Sequence, residues 1–321
     1  MLSYLLRRLA FLLVSLALAS VVLFLLLRLL PGDPANALTS VGASPEQIEA
    51  ARHSIGTDKS LPEQFVHWIG QLATGDLGTS FVSSLPVRPE VVGRLDVTVP
   101  LTLAAFLLAI VVAVPAGYVA ARRSRTWYGA ILNAVSQLGL AVPVFWLGMI
   151  LVAVFALNLG VLPSGGFPQD GWSDPGAAIK SLVLPVVTVA LVMSASLTRY
   201  VRSATLDVLG SDYLRTARAL GSSFAGAMWR HGLRNASVPV ISVLGIELAS
   251  TLLGAVVVES VFALPGLGSM LANGIAQHDY PVIQGVLFVS TLAVLLIGFL
   301  ADLVQRIIDP RLRGRLSGGT R

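Results

Sequence analysis

Cysteine is absent from the 321 residues, which excludes disulfides, thiolate metal sites and cysteine nucleophiles. Charge is scarce as well, at 12% of residues, and of the 22 basic side chains only Lys59 and Lys180 are lysine. No G-x-x-x-x-G-K-[ST] loop occurs, and "GTDKS" at 56–60 lacks the glycine spacing to cradle a nucleotide's phosphates. Any energy from ATP must therefore enter through another chain. The four histidines, His53, His67, His231 and His278, have no second ligand at i+3 or i+4, so the expectation is no metal and no cofactor bound by this chain. With no G-x-S-x-G or H-E-x-x-H either, a catalytic role in the membrane has no motif behind it.

What the chain does have is apolar length. Apolar residues make up 55%, the net charge is +5 and the mean hydropathy is +0.80, outside the range of soluble domains. Six runs are long enough to cross a bilayer, at about 9–30, 98–120, 130–157, 179–198, 237–262 and 282–304. The expected fold is all-α and integral to the membrane. The first run reads as a retained anchor, because "RLLPGDP" offers no small-residue cleavage site.

Basic residues flanking the spans set orientation. An inside N-terminus places sixteen of the 22 on the cytoplasmic side, among them Arg7, Arg8, Arg122, Arg123, Arg125, Arg199 and Arg202, with both chain ends inside. The organisation expected is then 1–30 as N-terminal end and first span, 31–97 as a folded extracytoplasmic segment, 98–310 as the membrane core and 311–321 as a cytoplasmic tail. Within 31–97, Ser44 and Pro45 open a short helix and a second lies around Gln64–Leu72. The connections at 158–178 and 263–281 read as ordered turn regions.

Ionisable groups inside spans are costly and are candidates for function. Glu247 sits well within one, while Arg28, Glu259 and Asp302 lie nearer span ends. Glu247 fits either a polar pathway or a pairing with a hydroxyl or backbone group at a subunit interface. In the third span Pro143 frees a backbone carbonyl, and Ser136, Gln137, Phe145 and Trp146 around it suit a gate or cavity wall, or a packing kink with aromatics at the interface. Pro115 and Pro185 need no more than a structural account.

Residues 206–236 form a basic stretch between the fourth and fifth spans, holding "YLRTARALGSSFAGAMWRHGLRN" at 213–235. Ser211 or Asp212 can cap a helix to Leu220, Gly221 can end it, and Ser222 or Ser223 can cap a second. Tyr213, Ala217 and Leu220 fall on one stripe, with Phe224, Met228 and His231 on another. A DNA-reading helix pair fits poorly, since spans on both sides restrict access to a groove. A lipid-headgroup patch and a protein-docking element remain.

These residues carry a resemblance. The chain is similar to the permease subunits of bacterial ABC importers, specifically the dipeptide and oligopeptide group. The family's cytoplasmic motif, Glu-Ala-Ala and then a glycine after three further residues, resembles Arg215, Thr216, Ala217 and Gly221, closing toward Val238 and Pro239. Arginine and threonine replace the family's first two residues, and the stretch from Gly221 to Pro239 is longer. "RLLPGDPA", "GDLGTSF", "VPVFW", "RYVRSATLDVL", "VVVESVFALPGLG", "HDYPVIQG" and "DPRLR" resemble the same group in the same order.

The resemblance implies a type I importer permease of six transmembrane helices, forming half of a pore in the bacterial inner membrane as a heterodimer with a homologous second permease. It implies a hairpin that acts as coupling helix to one or two cytoplasmic ATP-binding subunits, which hold ATP and Mg, and an extracytoplasmic solute-binding protein. The coupling residues it points to are Tyr213, Arg215, Thr216, Ala217, Ala219, Gly221, Phe224 and His231. Membrane lipid is a partner and nucleic acid is not. The solute expected is a di- or oligopeptide, with nickel, glutathione or haem as alternatives and a self-sufficient secondary transporter as the outlying one, which would show several intramembrane charges or inverted repeats.

Overall fold

The computed structural model describes residues 2–29, 35 and 44–308. The tail at 311–321 and most of the loop at 30–43 lie outside the described residues, as do the arginines at 311, 313, 315 and 321. The described residues are almost entirely helical, with an isolated antiparallel bridge between Thr79 and Pro86 and no strand. Twelve α-helices follow in order, α1 Leu2–Leu29, α2 Pro45–Ile55, α3 Leu61–Ala73, α4 Val87–Arg122, α5 Trp127–Ala141 and α6 Val144–Leu151, then α7 Pro175–Leu209, α8 Asp212–Ala219, α9 Phe224–Ala227, α10 Leu233–Val261, α11 Leu267–Gln277 and α12 Tyr280–Ile308.

Five described helical stretches are long and apolar enough to span a membrane, Ser3–Leu29, Val87–Arg122, Pro175–Leu209, Phe224–Val261 and Tyr280–Ile308. They exceed the apolar runs that predict them. The 36 residues of α4 reach about 54 Å at 1.5 Å each, against a hydrocarbon core of about 30 Å. Their ends must therefore leave the hydrocarbon.

The sixth span differs from expectation. In place of one kinked helix over 130–157, α5 and α6 with its π-helical extension Val152–Asn158 meet at 101°. The break lies at Val142, in extended conformation, followed by Pro143 at φ −62° and ψ 136°. Proline disfavours the helical region for the residue before it, and with Val142 extended a break replaces a bend.

The chain folds as two compact units, Met1–Val99 with Ala263–Leu296 and Pro100–Phe262 with Ile297–Arg321. In the first, Ser44 caps α2 through a reciprocal capping box with Gln47, and Glu63 reaches back to the Ser60 amide at the start of α3. Phe24, Phe65, Trp68 and Phe288 form an aromatic cluster with centroids 5.3–6.3 Å apart. Val87, Val91, Leu267, Met270, Val282 and Val286 form a second core.

The connection expected as a turn region over 263–281 contains α11, whose Leu267, Met270 and Gly274 fall on one buried face. The Leu267 amide donates to Thr98 Oγ1 at 2.9 Å, satisfying one of the helix's first N–H groups. Asp279, 3% exposed, accepts from Ser80 Oγ and from the amides of Phe81 (3.1 Å) and Val82 (3.5 Å), holding the 80–82 turn against the start of α12.

In the second unit α7 is the central helix, packed against α5, α6 and α10. Its inner face is lined by small and hydroxyl residues, among them Ser181, Thr188, Ser194, Ala195, Thr198, Ala204 and Thr205. A Cβ on Gly117 of α4 would lie 2.7 Å from Val201 Cβ and 2.8 Å from the Thr198 carbonyl, so glycine is what lets α4 and α7 approach. Pro115 and Pro185 sit inside uninterrupted helices.

A candidate docking hairpin and a candidate path

Only Gly210 and Ser211 separate α7 from α8. Ser211 takes the N-cap backbone conformation, but its hydroxyl donates back to the Val208 carbonyl at 2.6 Å rather than capping α8. The helix ends as the sequence predicts. Gly221, at φ +92°, and Ser222 send their amides back to the Arg218 and Ala217 carbonyls at 3.0 and 3.1 Å. Ser223 then caps α9, accepting from the Gly226 amide at 3.1 Å.

The second arm is where sequence and structure part. It is expected as a short helix separate from the fifth span, yet α9 runs through a π turn, Met228–Gly232, into α10 with no break. No residue between Ser223 and Val261 stops the helix. Gly232 keeps right-handed geometry at φ −69°, and Pro239 sits inside α10.

The π turn also changes which side chains share a face, because one extra residue per turn shifts the register. Ala227 and Met228 are buried with Val208 and Leu214, with Ala217 and Phe224 packed against them, while His231 is exposed and its carbonyl accepts from Asn235. Phe224, Met228 and His231 therefore do not form one stripe. In α8 the buried anchor is Leu214 (3% exposed) and not Leu220 (82%), so Tyr213, Ala217 and Leu220 are not one apolar seam either.

The outer surface combines charge with bare apolar groups. Arg122 and Arg218 lie over the Phe224 ring at 5.2 and 5.8 Å. Arg215 reaches Asp212 at 3.4 Å, an exposed pair of small energetic weight, and Thr216 Oγ1 donates to the Asp212 carbonyl. Ala219 and Gly221 are exposed at the turn. Leu220 and Trp229, at 82% and 79%, are the two most exposed large apolar side chains among the described residues. Sequence reasoning missed Trp229 and Leu214. Ala204, Asp207, Val208, Ser211, Tyr213, Asn235, Val238 and Pro239 line a cleft of about 350 Å³ at the base of the hairpin.

The candidate path residues are less unified. Ser136 is buried with its hydroxyl returned to the Leu132 carbonyl at 2.8 Å, and Gln137 is exposed on α5. Pro143 sits at the α5–α6 break, with Phe145 (46%) and Trp146 (49%) half exposed beyond it. Glu247 meets Ser196 of α7, whose hydroxyl donates to Oε1 at 2.6 Å. Among the described residues no hydrogen bond joins Glu247 to Ser136, Gln137 or Trp146.

Comparison with known proteins gives a consistent result. Residues 113–314 match the family described as binding-protein-dependent transport system inner membrane component, and residues 1–104 match the N-terminal family of the same membrane components. The chain is 37% identical over 313 residues to the glutathione transport system permease protein GsiC of Escherichia coli (strain K12), covering 98% of this chain and 99% of the relative. Identity to the protein of the same name from Shigella boydii serotype 4 (strain Sb227) is 36%, with the same coverage.

Among solved structures, the inward-facing MetNI methionine ABC transporter aligns with a TM-score of 0.57 at 18% identity, over 68% of this chain and 96% of that one. An amino acid ABC transporter crystallised with histidines aligns at 0.51 and 18%, over 68% and 94%. At that identity these likenesses show the fold, which is that of type I ABC importer permeases.

Proposed function

The chain belongs to the family of binding-protein-dependent transport system inner membrane components, and from that premise we propose that it is the pore-forming subunit for di- or oligopeptides. The permease role itself, in a multi-pass inner-membrane protein, comes with the family. The family also implies ATP-binding subunits and a solute-binding protein as partners. ATP and Mg reside on those subunits in this reading, and this chain is not catalytic.

The observation that carries the coupling role is the tip of the hairpin. Arg215, Arg218, Arg230 and Arg234 keep it out of hydrocarbon, yet Leu220 and Trp229 are bare. Apolar groups outside the bilayer and off the core are what a protein partner covers. Tyr213, Arg215, Thr216, Ala217, Ala219, Gly221, Phe224 and His231 belong to this proposed contact, with Leu220 and Trp229 added at its centre. The cytoplasmic location of the hairpin and of both chain ends is part of the same proposal. Ser136, Gln137, Pro143, Phe145, Trp146 and Glu247 are proposed for the path.

Peptide as solute has support from the GsiC relatives, whose named solute, glutathione, is itself a small peptide. Glutathione proper is the second reading, favoured by the same name.

The test is uptake by proteoliposomes holding this permease, its homologous partner, the ATP-binding subunits and the solute receptor. ATP-dependent accumulation of trialanine is the expected result, and accumulation of glutathione alone selects the second reading. Peptide uptake by this chain by itself, driven by a proton gradient, would overturn the coupled-importer assignment.

A further inference from the structure

We infer that Glu247 and Ser196 form a station in the membrane interior that takes a protonated amine, such as a peptide's amino terminus, as the solute passes; this rests on the peptide-importer reading. Several other hydroxyls on α7 and α10 return to carbonyls of their own helix, Ser194 reaching the Ala109 carbonyl of α4 as well at 3.5 Å. Thr188, Ser194 and Thr205 on α7 donate to the carbonyls of Leu184, Ala190 and Val201, and Thr251 and Ser260 on α10 to those of Glu247 and Val256. Ser196 departs from this habit. It donates across the helix pair to the Glu247 carboxyl at 2.6 Å, linking residues 51 positions apart.

One hydroxyl leaves the group half satisfied. Oε1 accepts from Ser196, and among the described residues no donor reaches Oε2. A carboxyl in a span is stabilised by a cation or several donors, and one so incompletely served marks a functional position. The basic residue one turn further along α7, Arg199, lies over the Tyr200 ring at 5.0 Å. Glu247 is only partly buried within the chain. The carboxyl is therefore not enclosed by the chain's own side chains. An ammonium group brings positive charge and three donors in a compact head, which matches one free carboxylate oxygen beside an occupied one.

The competing account is a structural tie between α7 and α10, and the carboxamide separates the two. Glu247→Gln keeps an oxygen to accept from Ser196 and nearly the same shape, but removes the charge. In the complete importer, with the receptor unchanged, Glu247→Gln is expected to slow trialanine uptake about tenfold, the loss of one charge-assisted hydrogen bond. The melting temperature of the complex stays at the wild-type value, and Glu247→Asp recovers part of the uptake. Wild-type uptake in Glu247→Gln overturns the station while leaving the importer reading intact. So does a joint fall in uptake and melting temperature, the mark of a structural tie. If the wild-type complex moves no trialanine, the peptide reading fails and the station fails with it.

Discussion

Replacing Leu220 and Trp229 together with serine tests the docking reading where the hairpin has least to lose by itself. Both side chains are about four-fifths exposed, at 82% and 79%, so the isolated permease gives up almost no packing when they are removed. Burying a leucine is worth about 1.5–3 kcal/mol, and a central interface tryptophan about 2 kcal/mol or more. If both enter a groove on an ATP-binding subunit, the pair of changes costs about 4 kcal/mol, which weakens association about a thousandfold. The assay is titration of the detergent-solubilised permease pair with the ATP-binding subunits, alongside thermal unfolding of the permease alone. Leu214→Ala supplies the contrast. Leu214 is 3% exposed in the cluster with Val208, Ala227 and Met228, so its truncation lowers the unfolding temperature through a cavity worth about 2–5 kcal/mol. Undiminished association by the double serine variant would refute the docking reading, as would a loss of permease stability comparable to that of Leu214→Ala.

Other outcomes follow from single features. Asp279→Ala orphans the Ser80 hydroxyl and the Phe81 and Val82 amides, so the 80–82 turn loosens by about 2–4 kcal/mol and those amides exchange hydrogen faster; unchanged exchange counts against the latch. Gly117→Val places a Cβ 2.7 Å from Val201 Cβ, forcing α4 and α7 apart at a cost of about 1–3 kcal/mol, read as a lower melting temperature. Because the chain has no cysteine, Ser222→Cys is a clean topology probe at an exposed hairpin position. A membrane-impermeant maleimide should label it in inside-out vesicles and not in intact spheroplasts, and the reverse pattern inverts the proposed orientation.

Local chemistry explains what was legible in the sequence. Ser44 with Gln47, Ser223, and Gly221 at φ +92° each do what their residue types demand within one turn of chain, so those boundaries could be read directly. Pro143 announces an interruption, but its 101° angle depends on the extended conformation of Val142 and on what packs around it. The hairpin faces failed for a different reason. A stripe at helical spacing assumes regular α geometry, and the π turn at Met228–Gly232 adds residues to the turn without any breaker in the sequence to signal it. Leu214 and Leu220 are the same residue type six positions apart, and only the packing of Val208, Ala227 and Met228 around α8 decides which is 3% and which 82% exposed.

Polar groups inside spans show the same limit more sharply. Composition finds Glu247, since a carboxyl in an apolar run is conspicuous, but the run does not contain its partner. Ser196 looks no different in sequence from Ser194, and two positions along a helix turn a side chain by about 200°, from the buried face that reaches the Ala190 and Ala109 carbonyls to the side that meets α10. A hydroxyl on the first face is satisfied by backbone and can be exchanged for alanine at the cost of packing alone. On the second it determines how much of a carboxyl is left for a solute. Ser196→Ala should therefore change uptake in the direction of tighter amine capture and slower release, whereas Ser194→Ala should change stability without changing uptake. Equal effects of the two substitutions on uptake would mean that the face, and with it the carboxyl's open oxygen, has no part in transport.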